Sequence, residues 1–402
     1  MLPYLLIVEA AERLKKRVRR TELIHSHYFS DRLGLPVYFK CENLQRTGSF
    51  KIRGALNFIL AQPREALTHG VITASAGNHG QGVAFSASLL GIPATVFMPE
   101  NTPLQKFHAV RDYGAQIVLT GRNFDQAFAS ALIRQQETGS LFIHPFDDPL
   151  VIAGQGTIGL ELLADIPDLT TVFVPIGGGG LIAGVATALK ESNSRIKIIG
   201  VETTAAPAMH FSLKKGSIME TPIVSSLADG IAVKRPGETT FRIVRELVDE
   251  VVLVEEEEIA QAIVLLLERS KLLAEGAGAA SLAALLQEKT TIPNGKAICL
   301  LSGGNIDVKT IAMVVERGLV AGGRYLKLQV ALQDIPGSLA KLAGEIATMK
   351  ANIFHINHDR RCRAIPLGET AVIVELETRG FEHIKNILDH LERKGYEVTV
   401  LK

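Results

Sequence analysis

An excess of charge of either sign is missing from this chain. Its 402 residues carry 43 basic and 42 acidic side chains, a formal net charge of +1. Such a balance gives neither a nucleic acid nor an anionic membrane a reason to bind. Cysteine is scarce as well: Cys41, Cys299 and Cys362 are odd in number, widely spaced and without metal-ligand spacing. That usage argues against a disulfide framework and reads as reduced thiols in a cytoplasmic protein. Long apolar runs are also lacking. Residues 2–8 are broken by Pro3 and Tyr4 and followed by Glu9, so no signal peptide is expected. Residues 169–189 hold no charge, but Pro175 and Gly177 to Gly180 interrupt them, which makes a poor membrane helix. They read instead as a buried strand, a glycine loop and a helix.

What is present points to two or three domains, each able to bury a core. Short apolar runs at 37–40, 71–73, 94–98, 116–120, 171–175, 197–202, 250–254 and 297–301 predict strands. Helical periods lie between them, as at 80–89 and 259–273. This alternation predicts an α/β fold of open, mostly parallel sheets with helices on both faces. The quartet Glu255 to Glu258 reads as solvated charge at the positive end of a helix. After Ala321-Gly322-Gly323 the character changes. Residues 326–330 alternate as a half-buried strand; Leu339, Leu342, Ala343, Ile346 and Met349 mark one helix face. Strands near 353–357 and 370–376 follow, then a helix carrying Phe381, Ile384, Ile387, Leu388 and Leu391, then a strand at 396–401. The order βαββαβ describes a small ferredoxin-like domain beginning at residue 322.

Four constellations could carry chemistry. Lys51, in Ser49-Phe50-Lys51-Ile52-Arg53-Gly54-Ala55, stands between an aromatic and an apolar residue; burial there would favour the neutral amine that a Schiff base needs. A solvated lysine at a helix start is the plainer alternative. Ser75-Ala76-Gly77-Asn78-His79 follows a strand and could offer backbone N–H groups to a carboxylate, or be an ordinary turn with a structural His79. Gly177 to Gly180, with Leu181, could wrap a phosphate. Gly178, Gly180 and Ala183 also fit a dinucleotide fingerprint, with Glu202 ending the next strand. Ser302-Gly303-Gly304-Asn305 places a hydroxyl at the carboxyl end of a strand, where open α/β sheets bind ligands; a helix cap is the bland reading.

In order and spacing, these four segments resemble those of the threonine dehydratases, which are fold-type-II pyridoxal-phosphate enzymes. The resemblance covers nearly the whole chain, and the tail is similar to the ACT-type regulatory domain that some of these enzymes carry. It implies a catalytic domain over 1–321, with a smaller lobe near 41–150, and a regulatory domain over 322–402. It implies pyridoxal 5'-phosphate as cofactor, on Lys51 as a Schiff base, with Phe50 beside it. Asn78 would bond the ring hydroxyl, Gly177 to Gly180 and Leu181 would hold the phosphate, and Ser302 would face the pyridine nitrogen. Ser75, Ala76, Gly77 and His79 would surround the substrate carboxylate, and Glu275 matches an acidic residue near the substrate. The implied reaction is loss of water and then ammonia from L-threonine or L-serine. A homodimer or homotetramer is implied, with a branched-chain amino acid as effector of the tail.

Two departures separate neighbours. Ile52 follows the lysine where cysteine and threonine synthases usually place Asp. Serine racemases carry a serine at the position of Ala76, which has no proton to give. Of the racemases' divalent-metal ligands, Glu202 matches one, whereas Ala208 replaces another carboxylate, so no metal is expected. A serine dehydratase or racemase of the same fold, and a non-catalytic amino-acid sensor, are the competing readings.

Overall fold

The apolar runs pair into two mostly parallel sheets whose inner strands are buried on both faces, which is why the sequence shows runs and not alternation there. The larger sheet orders Leu23–His25, Val37–Cys41, Ala297–Leu301, Thr171–Pro175, Lys197–Thr203 and Glu250–Val254. Only its first pair is antiparallel. The smaller sheet orders Gln116–Leu119, Ala94–Met98, Val71–Ala74 and Leu141–Phe142, all parallel. Leu23–His25 and Leu141–Phe142 escape sequence reading because three- and two-residue edge strands show no period. The computed structural model describes residues 2–292, 295–359 and 368–401; Cys362 lies outside them. Cys41 and Cys299 are buried free thiols. Among the described residues no helix is long and apolar enough to cross a membrane.

Two helix expectations need correction. The helix placed over 259–273 is Glu256–Leu265, which runs into a wider turn at Leu266–Ser270 and stops where Lys271 takes φ 58°. Glu256, expected in solvent with its neighbours, accepts hydrogen bonds from Thr203 Oγ1, Ser226 Oγ and the Leu227 amide. It pins the loop before Asp229.

The chain divides into two units, Met1–Ile311 and Ala312–Lys402. In the second, Tyr325–Gln333, Ser338–Thr348, Asn352–Asp359, Glu369–Glu377, Phe381–Arg393 and Glu397–Val400 follow one another as βαββαβ. The antiparallel sheet runs Asn352–Asp359, Glu369–Glu377, Tyr325–Gln333, Glu397–Val400, the ferredoxin-like order. Leu342, Ile346, Ile387 and Leu391 bury the helices against it. Phe381, assigned from its spacing to that apolar face, instead stands 65% exposed at the helix start.

In the first unit, close helix packing and one buried ion cluster place the segment that carries Lys51. Helix Pro149–Asp165 lies so near helix Gly180–Ser192 that a Cβ on Gly184 would fall 2.3 Å from the Ile152 carbonyl oxygen. On its other side it meets helix Lys51–Leu60, from which the fully buried Arg53 reaches two carboxylates. Arg53 Nε and Nη2 donate to Glu42 at 2.9 and 2.8 Å; Nη1 and Nη2 donate to Glu161 at 2.7 and 3.0 Å. Buried Lys40 donates to Glu161 at 2.6 Å and to the Thr21 carbonyl at 2.8 Å. Burial alone would raise the Glu42 carboxyl; the Arg53 guanidinium, with Thr21 and Lys40, holds it below the usual range. Removing one partner leaves an uncompensated buried charge, so Arg53→Met should cost about 3–5 kcal/mol. Denaturant melts of the variant check this, and a loss below about 1 kcal/mol would show that the cluster does not hold the helix.

Candidate active site

The carboxyl ends of the parallel strands open on one cavity of about 730 Å³. Every residue singled out from the sequence lines it: Phe50, Lys51, Ser75, Ala76, Gly77, Asn78, His79, Gly177, Gly178, Gly179, Gly180, Leu181, Glu275 and Ser302. Four helices, Lys51–Leu60, Asn78–Leu90, Gly180–Ser192 and Gly276–Leu286, begin at these residues or beside them. None has a side-chain cap. Their first amides lack intrahelical partners, and their positive ends converge, so the cavity favours anions.

Lys51 is the first residue of its helix, and its Nζ donates to the Pro145 carbonyl at 2.8 Å. Burial brings this amine down to about 8, while the charge of Glu275 opposes the shift. The Phe50 ring lies 5.2 Å from the same nitrogen. Glu275 is pushed up to about 7, by burial first and then by Asp229, against a hydrogen bond from Asn78 and the charges of Lys106 and Lys51. Asn78 gives its Nδ2 to Glu275 at 2.7 Å and accepts from Asn305 at 2.9 Å, so the two motifs are joined directly. Buried Ser302 accepts the Phe50 amide on its carbonyl and leaves its hydroxyl at the cavity wall. The glycine loop is tight: a Cβ on Gly178 would lie 2.4 Å from the Phe146 ring, and Gly179 takes φ 95°. Any side chain at 178 would have to displace that ring.

His79 is not a base. Its Nε2–H donates to the Ile143 carbonyl at 3.0 Å, and burial, helped by Lys51, pulls the ring down to about 3. The remaining Nδ1 is a buried acceptor without a partner among the described residues, so the His79 ring cannot donate to a carboxylate, whereas the backbone amides of this helix start can.

A family model described as pyridoxal-phosphate dependent enzyme matches residues 14–304. The chain belongs to that family. The chain is 69% identical to the L-threonine ammonia-lyase of Geobacter sulfurreducens, over the full length of both. Among solved structures, the processed form of threonine deaminase isoform 2 from Solanum lycopersicum superposes with a TM-score of 0.76 at 41% identity, covering 79% of this chain and 88% of that one. Maize serine racemase gives 0.74 at 38%, covering 78% and 97%. The family cofactor, pyridoxal phosphate, fits what stands here. The side-chain-free loop 177–180 opens a helix for an anion, and an amine of lowered proton affinity shares its cavity. The dinucleotide alternative for these glycines is thereby set aside.

Two groups of residues have roles that sequence reading missed. Glu202, matched to a metal ligand, gives its carboxylate to the Met209 and His210 amides at 2.9 and 2.7 Å, capping helix Ala208–Lys215; burial raises it to about 8. Among the described residues no group of three or more His, Cys, Asp or Glu is placed to hold a metal ion. The other group lies around the cavity itself. Lys106 pairs with Asp229, and Lys234 with Asp125, joining the small-sheet helices to the loop over 220–235. His144, Pro145 and Phe146 form the opposite wall. The loop had no motif to find it by. Asp148 before Pro149 was a legible helix start, with Asp148 capping the Leu150 and Val151 amides.

The His79 shift carries a pH prediction. The ring is neutral when folded above about pH 3, whereas unfolded it takes a proton below about 6.5. Its contribution is therefore complete at pH 7 and is lost on acidification. The stability advantage of the parent over His79→Gln should shrink by about 2 kcal/mol between pH 7 and 5. Thermal melts of both proteins measure the gap; a gap independent of pH would mean the folded ring accepts the proton.

Proposed function

We propose that this chain removes water and then ammonia from L-threonine, and from L-serine, yielding 2-oxobutanoate and pyruvate. The observation that carries the reading is Lys51: an amine brought down to about 8 shares one cavity with the tetraglycine cradle. The threonine ammonia-lyase and threonine deaminase among the relatives support the substrate.

Lys51 Nζ would anchor the cofactor, Gly177 to Gly180 and Leu181 would hold its phosphate, Phe50 and Asn78 would stand beside its ring, and Ser302 would offer a hydroxyl to the ring nitrogen. Bound pyridoxal phosphate supplies the electron sink that makes the substrate Cα proton removable. The amides at Ser75, Ala76, Gly77 and the start of helix Asn78–Leu90 receive the substrate carboxylate. Lys51 Nζ, when free, takes the Cα proton; its lowered proton affinity keeps a useful fraction neutral near pH 7–8. The Pro145 carbonyl keeps that nitrogen from swinging away. The Ser302 hydroxyl would stabilise a protonated ring nitrogen less than a carboxylate at that position would.

A racemase of the same fold is the second reading, raised by the likeness to maize serine racemase. Ala76 opposes it, because the cavity wall at that position offers no proton. Lys51→Ala should lower turnover of threonine by several orders of magnitude, with the denaturation midpoint changed little. It should also abolish the parent's visible absorbance and, with it, the permanent attachment of the cofactor to one lysine that borohydride reduction gives. Near-normal activity in the variant would end this mechanism.

Residues 322–402 are proposed as an ACT-like regulatory domain binding isoleucine or valine, with 1–321 catalytic, in a homodimer or homotetramer. Supporting this, Gly337 takes φ 94° before helix Ser338–Thr348, whose start has no side-chain cap and can receive a carboxylate. Added to the full-length enzyme, isoleucine or valine should change the apparent threonine affinity by about 5–150-fold. Calorimetric silence together with an unshifted saturation curve would remove the regulator.

A further inference from the structure

Residues 143–146 carry no motif, yet they touch each part of the cavity. The Ile143 carbonyl accepts His79, the Pro145 carbonyl accepts Lys51, and Phe146 fills the space that side chains would need, with its ring at Gly178 and with its backbone and Cβ at Gly180. The segment turns on His144, whose Nδ1 accepts the amides of Phe146 at 3.2 Å and Asp147 at 2.8 Å. Burial brings that ring down to about 4, so it stays a neutral acceptor.

Asp147 itself does not line the cavity. Its carboxylate caps a helix from another part of the chain. Oδ2 accepts the Glu238 amide at 2.9 Å, and Oδ1 accepts the Thr239 and Thr240 amides at 3.0 and 3.1 Å. Helix Glu238–Leu247 has only Gly237 at its own cap position, where a Cβ would fall 2.3 Å from the Asp147 carboxyl carbon. From its first turn, Thr240 donates Oγ1 to the Gly178 carbonyl at 2.6 Å. A peptide unit is planar and trans, so a fixed Gly178 carbonyl also fixes the opposite direction of the Gly179 N–H.

We propose that Asp147 is a positioning residue for the tetraglycine loop, acting through the helix start and Thr240, and that it sets how tightly the cofactor phosphate is held. This rests on the reading that the loop receives the phosphate. The carboxylate neutralises the helix start and holds Thr240 at the height where its hydroxyl meets Gly178. Without it the loop samples other orientations of its amides, and the phosphate is bound by fewer of them at a time.

The test follows release of pyridoxal phosphate from the purified holoenzyme by dialysis, together with its equilibrium dissociation constant from visible absorbance. Asp147→Leu should weaken cofactor binding about tenfold, with kcat at saturating cofactor changed less than about twofold. Thr240→Val should shift binding in the same direction, and the double variant should be less than additive, because both act along one path. Asp147→Asn keeps an acceptor oxygen for the Thr239 and Thr240 amides and should recover part of the affinity. Asp148→Leu removes a cap of the same kind from helix Pro149–Asp165, which among the described residues donates no hydrogen bond to the loop's carbonyls. It should lower the thermal midpoint while leaving cofactor release unchanged. Unchanged release in Asp147→Leu, equal release in Asp147→Leu and Asp148→Leu, or full additivity with Thr240→Val would overturn the inference. Should Asp147→Leu not fold, Thr240→Val and Asp147→Asn decide by the same readout. If the parent holds no cofactor on Lys51, the underlying reading fails instead, and the two failures are told apart.

Discussion

Two basic residues two positions apart, Lys51 and Arg53, live in opposite electrostatic worlds, and the site depends on that difference. Arg53 sits between Glu42 and Glu161 with every nitrogen engaged, so the buried guanidinium keeps its charge and ties three distant segments together. Lys51, one side of the helix away, meets a neutral carbonyl at close range and only the more distant charge of Glu275. A helix held by a paired cation can therefore present an unpaired one. Were the first turn free to rotate, Lys51 could reach solvent and regain its ordinary proton affinity. A buried pair is weak evidence of net stability in general. Here its geometric effect matters more, because it dictates where the first turn of the helix points.

Much of this arrangement was legible. Strands buried on both faces betray themselves as apolar runs, and the six inner strands, with the edge strands Gln116–Leu119 and Glu250–Val254, were located to within a residue or two. The reactive segments were legible for a related reason: glycines and small polar residues directly after such runs stand at carboxyl ends of parallel strands, where ligands bind. The tail declared itself by its change of period. What escaped had no side-chain signature. Pro145 contributes a carbonyl oxygen, Asp147 a cap to a helix ninety positions onward, and 229–235 a wall made by chain reversal. Glu256 was misjudged because a charged residue was assumed to face water, and Glu202 was given no structural role; each satisfies backbone amides of its own chain. Backbone demand is invisible until the backbone is placed.

The same demand shapes the cavity. Four uncapped helix starts and a carboxyl raised to about 7 at Glu275 create a place where negative charge is welcome and protons are exchanged easily. Asn78 joins Glu275 to Asn305 and so couples the small-sheet helix to the large-sheet loop through a single amide. Such joins bind the two sheets into one working unit although each has its own core.

Strand Val37–Cys41 is paired on its inner side with Ala297–Leu301, which also pairs with Thr171–Pro175. The middle of the larger sheet is thus the last of its strands to be synthesised. As the chain leaves the ribosome, residues 71–142 can close their own sheet early from neighbours in sequence. The amino-terminal pair must instead wait, one apolar edge unpaired, for a strand some 260 positions later. Pairing across such a span is slow and leaves the waiting edge open to wrong partners. The nested order of the strands therefore makes the growing chain most vulnerable to misassembly just before residue 301 emerges.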